Sequence, residues 1–438
     1  MHIYLSSLGC VRNQVDSELM LGRLSGAGHT LAETPAEAEI IIVNTCAFIE
    51  SAADEAIEEI LTLADWKKQG KCRSLIVAGC LPQRYGRDTA RSLPEVDVFL
   101  GTGAYDRIAE AVENPWAAGT CLLPEPACMG LAYWHTPRIY DTWPTAYIKI
   151  MEGCGRHCTY CVIPKLRGPL RSREAADVAR EAELLANKGF AEIVLVGQDT
   201  TSWGTDFGTG PSFADLLKKT AKAAPETWIR FLYGHPDKID DRLLETIAAH
   251  DNVCSYLDIA VQHASGRILK RMGRNHDRET LLAHFARIRA ALPDAALRTT
   301  VLVGFPGETV QDFEELLELV ETVEFDHLGA FIYSDADDLP SHRLDGHVSA
   351  QAAQDRHDLV MQRQADISLA KNREKIGSRM QVLVEGQSDE GRFYGRSQYQ
   401  APEVDGVTFI ETSTAEIGTY MDLHITRADE YDLTGVPV

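Results

Sequence analysis

Ten cysteines punctuate this chain of 438 residues, and six of them stand where chemistry could be done. Cys154, Cys158 and Cys161 fall in one tight stretch, EGCGRHCTYCVIPKLRGPLRSR, at C-x3-C-x2-C spacing. Cys10, Cys46 and Cys80 lie far apart, yet each ends a short apolar run: SLGC, VNTC and VAGC. Thiolates are soft ligands that suit zinc and iron–sulfur clusters. Structural zinc closes with four ligands, and an iron–sulfur cubane is commonly held by four thiolates. Three thiolates from one loop leave one iron with an open position, and an open position on a metal is where a reagent can bind. The alternatives are a zinc knuckle, which would want a second C-x2-C pair that the sequence lacks, and buried cysteines with no metal.

The second trio is separated by 36 and 34 residues, one strand-helix unit each. In a parallel sheet the carboxyl ends of neighbouring strands lie side by side along one edge, so three distant thiols would converge there. Each follows a small or turn-favouring residue, Gly9, Thr45 or Gly79, which leaves room for a bulky inorganic group. The competing reading is three unrelated buried cysteines, since free Cys is common in cores. Again only three ligands are offered. Cys72 and Cys254 read as packing residues, and Cys121 and Cys128 have no pattern that assigns them a role.

The elements that must position these thiols alternate. HIYLSSLGC, EIIIVNTC, SLIVAGC and VDVFLGTG read as strands, with NQVDSELMLGRLSGAG and SAADEAIEEILTLADWKK as intervening helices. Short apolar runs separated by helices predict a parallel sheet covered on both faces, an α/β domain over residues 1–114. A Pro-, Gly- and Trp-containing stretch, 115–144, reads as a linker or lid. A second series follows over 145–372, with strands TAYIKIMEGC, EIVLVGQD, WIRFLY, YLDIAVQH, LRTTVLVGF and HLGAFIYS. Six such units make a partial (β/α)6 barrel, whose chemistry collects at the carboxyl ends of its strands. Residues 373–438 change to short strands and turns, a small antiparallel β-barrel.

The opening MHIYLSSLGC has no signal-peptide pattern, and no apolar run is long enough to span a bilayer, so the chain is expected to be soluble and cytoplasmic. Its net charge of −22 argues against a generic nucleic-acid binder and is compatible with a basic partner.

The C-x3-C-x2-C loop after the first barrel strand resembles the signature of the radical S-adenosylmethionine (SAM) superfamily. That resemblance implies a [4Fe-4S] cluster whose open iron is chelated by SAM and whose electron cleaves the sulfonium to give a deoxyadenosyl radical. It also implies SAM contacts: Tyr160 beside the adenine, Gly304 and Gly307 in VLVGFPGE along the adenosine, and Gln198 and Gln262 at strand ends facing the same mouth. Loop capping is an equal alternative for any one of these polar residues.

Two three-cysteine sets followed by a small barrel resemble the methylthiotransferase family over essentially the whole chain. The stretches that carry the likeness are SLGCVRNQVDSELMLG, IVNTCAFIESA, VAGCLPQRY, LVGQDTT and a final domain like the family's TRAM barrel, which is OB-like. LVGQDTTSWG, LDIAVQHAS, APEVDG and ITRADEYDLTG resemble the branch that modifies a ribosomal protein. The resemblance implies two [4Fe-4S] clusters, an auxiliary one on Cys10, Cys46 and Cys80 and a SAM-binding one on Cys154, Cys158 and Cys161. SAM would serve as methyl donor and as radical source, and the product would be a methylthio group on the β-carbon of an aspartate in the twelfth protein of the small subunit. An external electron donor and a sulfur source are implied as well. Two departures stand out: Val11-Arg12 where the family often has Pro-Lys, and YSDADDLPSH where it usually has an acidic-Gly-Thr turn.

The rival branch acts on a tRNA adenosine, and a non-catalytic iron–sulfur carrier or scaffold is a third reading. From Gly377 onward there are four arginines and no lysine against eleven acidic residues. A domain gripping phosphates should be basic, so no stable nucleic-acid binding is expected and a basic protein substrate is preferred. Arg392 and Arg396 beside Phe393 and Tyr394 could form a small nucleic-acid patch, with barrel packing the favoured role for the two aromatics.

Overall fold

The computed structural model describes residues 1–114, 116–128, 130–131 and 136–438. Pro115, Met129 and Ala132 to His135 of the expected linker lie outside the described residues. The chain opens with β1 (His2–Ser7), α1 (Val11–Gly26), β2 (Thr30–Leu31), β3 (Ile40–Thr45), α2 (Glu50–Ala64), β4 (Ser74–Gly79), β5 (Val98–Leu100) and β6 (Thr120–Leu122). These strands form one six-stranded parallel sheet in the order β2-β1-β3-β4-β5-β6. Successive side chains of a strand point to opposite faces, and β3 is buried on both. Ile41 and Val43 pack with Ala56 and Ile60 of α2, whereas Ile40 and Ile42 pack with Met20 and Leu24 of α1. That double burial is why β3 reads as an unbroken apolar run.

One expectation needs correction here. The 115–144 stretch is more than a linker, because its Thr120–Leu122 segment joins the sheet as β6 against Val98–Leu100. Three residues are too few to carry a strand signature of their own. Farther on, the stretch crosses α1 so closely that a side chain on Gly22 would strike the Pro137 carbonyl. Arg138 then pins it, donating to Glu18 of α1, to Glu181 and to the Tyr147 carbonyl.

The central series runs β7 (Thr145–Lys149), β8 (Met151–Glu152), β9 (Arg171–Ser172), β10 (Glu192–Val196), β11 (Trp228–Phe231), β12 (Tyr256–Asp258), β13 (Ala296–Val303) and β14 (His327–Ile332). Strands β7, β10 and β11 pair in parallel, as do β12, β13 and β14. Single bridges, Ile229 to Val253 and Gly234 to Ile259, join the two sets into a six-strand open barrel. The two-residue pair β8/β9 is antiparallel and closes off the loop that carries Cys154, Cys158 and Cys161. The 25-residue helix Ala350–Glu374 packs outside β14.

The tail closes into a barrel of β15 (Arg379–Gln387), β16 (Phe393–Ser397), β17 (Thr408–Ile410), β18 (Tyr420–Ala428) and β19 (Leu433–Pro437). Its pairing is not wholly antiparallel, since β17 and β19 run parallel. The tail barrel caps the amino ends of the central strands, opposite the cysteines. Glu192, at the start of β10, accepts from Arg230 of β11 and from Arg396 of β16. Asp405 accepts from Tyr256 at 2.7 Å and stands 3.5 Å from both Arg298 and His327. Arg396 is thus an interior ion-pair partner, 2% exposed, and not part of a phosphate-facing patch.

Burial pushes the Glu192 carboxyl up, but Arg396 and Arg230 outweigh it and hold the group at about 2. A depressed folded-state value means its contribution to stability is present above the ordinary carboxylate value and is lost as pH falls through about 2. Trp228 lies against Tyr420 across this junction, ring centroids 4.8 Å apart, so its fluorescence reports the docking. The signal is expected to hold at mildly acidic pH and to change only as pH drops toward about 2; in Glu192→Gln the junction should be weakened already at neutral pH. A wild-type transition complete at pH 5 would contradict this.

Candidate active site between two cysteine trios

Cys10, Cys46 and Cys80 do meet at one edge of the N-terminal sheet. Cys10 caps α1, Cys46 follows β3, and Cys80 opens the helix Cys80–Tyr85. The loops are held together by two fully buried amides. Asn13 donates to the carbonyls of Leu8 and Thr45 at 3.0 and 2.9 Å, and its oxygen lies 4.0 Å from Cys80 Sγ. Asn44 donates to the Asn13 carbonyl and to Ser17, each at 2.9 Å. Gly9 and Gly79 have φ of +91° and +103°, a region that favours glycine. A Cβ on Gly9 would lie 2.5 Å from Cys46 Cβ, and one on Gly79 would lie 2.6 Å from the Thr45 carbonyl. The strand ends are bare because nothing larger fits.

Two guanidiniums face these sulfurs. Arg12 Nε donates to Cys10 Sγ at 3.4 Å, and Arg167 Nη2 approaches Cys80 Sγ at 3.7 Å. Burial alone would push the Cys10 thiol up, yet Arg12 and Arg167 bring it down to about 7. Cys80 is pushed up to about 11 by burial, which Arg167 only partly offsets. A thiol so deeply buried ionises readily only when a metal replaces its proton.

The second trio sits on a loop clamped from several sides. Cys154 N–H donates to the Gly168 carbonyl, Thr159 N–H to that of Met272, and Ser341 N–H to that of Thr159. Arg156 N–H donates to Cys154 Sγ at 3.4 Å. Burial pushes Cys161 up to about 12 and raises Cys154 as well. All three side chains remain partly accessible, as a site open to a reagent requires.

A cluster fits these donors. Each trio offers three soft ligands, N–H or guanidinium groups directed at sulfur, and no further thiol among the patterned cysteines. Among the described residues no group of three or more His, Cys, Asp or Glu side chains is arranged to hold a single metal ion. Thiolates of a cubane bind separate irons, so they need not converge on one point as zinc ligands must.

The residues expected around the second trio fall as follows. Tyr160 lies edge-on to Phe305 at 6.4 Å, and its hydroxyl accepts from Arg274. Gln198 donates to Glu152 at 2.6 Å, just before the cysteine loop. Gln262 holds φ +68°, an uncommon state for a non-glycine residue, and its backbone bonds Thr300 and Leu302 on β13. Gly304 and Gly307 also have positive φ; a Cβ there would meet Ala353 at 2.6 Å and Arg271 at 3.0 Å. Both glycines therefore have packing reasons of their own.

A short helix links the two trios. The helix Ile163–Arg167 follows Cys161 directly, buries Val162 and Leu166 with Cys80 and Leu81, and delivers Arg167 to the first trio. Arg167 also donates to Asn13 and, at 2.6 Å, to Asp16. Asp16 and Glu152 each accept from Lys149 of β7. This charged knot of four residues, at most 3% exposed in any side chain, locks α1 to the barrel.

Comparison with known proteins now bears on the whole chain. Residues 2–101 match the uncharacterized protein family UPF0004, 148–320 the radical SAM superfamily, and 376–438 the TRAM domain. The ribosomal protein uS12 methylthiotransferase RimO of Desulfosudis oleivorans is 51% identical over 99% of both chains. Those of Geobacter sulfurreducens and Clostridioides difficile are 44% and 42% identical over 99% of this chain and 98% of theirs. The chain belongs to this methylthiotransferase family. Members of the family use SAM and [4Fe-4S] clusters, which the thiol-rich, cation-flanked cleft accommodates. Among solved structures, the radical SAM methyltransferase TsrM of Kitasatospora setae superposes with a TM-score of 0.59 at 12% identity, over 84% of this chain and 89% of that one. That likeness supports the fold alone.

Asn13, Asn44, Asp16, Lys149, Glu152 and Arg167 were not anticipated from sequence. The only available signal was adjacency: Asn13, Asn44 and Glu152 lie within three residues of a patterned cysteine. Cys72 and Cys254 are buried, as packing residues should be.

Proposed function

We propose that this chain places a methylthio group on the β-carbon of an aspartate in ribosomal protein uS12. Cys10, Cys46 and Cys80 would hold the auxiliary [4Fe-4S] cluster, and Cys154, Cys158 and Cys161 the one that binds SAM. When bound, the clusters and SAM supply a sulfur site and a radical able to remove hydrogen from an unactivated carbon, which no side chain can do by acid-base chemistry. The chain's own part is placement. Asn13 and Asn44 fix the three strand ends, Arg12 and Arg167 offset negative charge on sulfur, and the Lys149-Asp16-Arg167-Glu152 knot sets the two domains at one cleft.

The observation that supports this reading is that two guanidiniums tie the trios' surroundings together: Arg167, on the helix just after Cys161, reaches Cys80 Sγ, and Arg12, beside Cys10, reaches the Gly197 carbonyl at the end of β10. A protein substrate is favoured over tRNA by the tail barrel. Arg396 is spent inside, and Arg379 and Arg427 are paired with Asp422 and Glu411. Little cation is left for phosphates, whereas a basic ribosomal protein meets an acidic surface. The reductant and the sulfur donor would be external, and the setting the cytoplasm; no helix among the described residues is long and apolar enough to cross a membrane.

Reconstituted protein given SAM, a reductant and sulfide should convert one aspartate of uS12 to its methylthio form, read by mass spectrometry, and leave tRNA unmodified. Methylthio mass on tRNA adenosine instead would replace this reading with its rival.

A further inference from the structure

One cation spans the cleft. Arg12 lies in the first turn of α1, directly after the first trio begins. Its Nε donates to Cys10 Sγ at 3.4 Å and its Nη1 to the Gly197 carbonyl at 2.8 Å, and its guanidinium lies over the Tyr233 ring, 4.5 Å from the centroid. Gly197 follows β10 and precedes Gln198, and Tyr233 lies beyond the carboxyl end of β11. The group is therefore fixed to the N-terminal sheet by one contact and to the barrel mouth by two.

The platform beneath it is strained. Tyr233 has φ +64°, costly for a bulky side chain, and is kept there partly by its N–H donating to Asp258 at 2.8 Å. Strain retained at a cleft has a geometric use, and here it places the ring beneath the cation.

Arg12 still has an unused edge. Among the described residues its Nη2 makes no hydrogen bond and its charge pairs with no carboxylate. The acids nearby are committed elsewhere: Asp16 and Glu152 to Lys149 and Arg167, Asp199 to Arg156, and Asp258 to Arg298. A clamped guanidinium with free N–H donors is shaped to take a carboxylate.

We propose that the free edge of Arg12 receives the carboxylate of the substrate aspartate, holding its β-carbon between the two trios and rejecting an uncharged side chain. This rests on the functional reading above. SAM also carries a carboxylate, so the test separates the two sources. Full-length holoenzyme is titrated with uS12-derived peptides bearing either Asp or Asn at the modified position, and separately with SAM. The wild type is expected to bind the Asp peptide about tenfold or more tightly than the Asn peptide. Arg12→Gln, compared with the wild type on protein reconstituted to the same iron content, should bind both peptides alike, with SAM affinity measured alongside. Arg12→Lys, with a charge but no fork, should retain part of the preference.

Equal binding of the two peptides by the wild type overturns the proposal whatever the variants do. So does an unchanged Asp-to-Asn ratio in Arg12→Gln, and so does a loss confined to SAM affinity, which would assign the edge to SAM. Failure of the wild type to modify uS12 at all overturns the functional reading too, whereas transfer with an unchanged ratio overturns this inference alone.

Discussion

Changing Cys154, Cys158 and Cys161 together to alanine is expected to leave about four irons per chain where the wild type holds about eight, and to abolish 5′-deoxyadenosine formation from SAM. The effect is total rather than partial. The cluster these cysteines would hold would supply the electron that cleaves the sulfonium, and among the described residues the flanking groups Tyr160, Gln198 and Arg156 have no redox chemistry that could substitute. The matching variant of Cys10, Cys46 and Cys80 should lose the other four irons, still make deoxyadenosine, and transfer no methylthio group. Iron analysis with chromatography of the nucleoside products distinguishes the two. Deoxyadenosine from the first variant, or zinc in place of iron in the wild type, would remove the basis of the site assignment.

The asymmetry between these variants depends on where each trio is anchored. The barrel loop is clamped by its own domain, through Gly168, Met272 and the β8/β9 pair. The sheet-edge trio is held by Asn13 and Asn44 and leans on Arg167 from the barrel. Losing the sheet-edge cluster should therefore leave the other loop intact.

What could be read in advance follows from how local each signal is. The C-x3-C-x2-C loop is complete within eight residues, and Cys10, Cys46 and Cys80 recur with the strand-helix period, so both trios were legible. The apolar runs of β3, β4 and β10 were legible because burial on both faces leaves an uninterrupted signature. Thr120–Leu122 was not, since three residues carry no period; nor was the parallel pairing of β17 with β19, which depends on how the tail closes. Arg396 looked like a surface cation, and only the docking of the tail onto Glu192 reveals it as interior. Asp16 and Lys149 are 133 residues apart. A charged residue in an amphipathic helix reads as solvated until its partner is known.

That last pair gives the largest expected loss of stability. Asp16 is 1% exposed and is shared by Lys149 and Arg167, both buried. Asp16→Ala removes one of the two carboxylates that Lys149 and Arg167 share, in a place buried to within 3% exposure. Breaking a buried pair in this way costs about 3–5 kcal/mol, a large part of the roughly 5–15 kcal/mol that holds a typical protein folded. The urea midpoint should fall, and auxiliary iron should be lost with it, because Arg167 turns from Asp16 and Asn13 and withdraws from Cys80. Asp16→Asn should lose less, since a carbonyl can still accept from one cation. The informative comparison is Asp16→Leu combined with Lys149→Met. Removing one charge of each sign leaves Arg167 balanced by Glu152, 3.6 Å away, so the double variant should recover much of what Asp16→Ala loses. If Asp16→Ala shifts stability by less than about 1 kcal/mol, the scale of an exposed pair, the knot is not what fixes the two domains across the cleft.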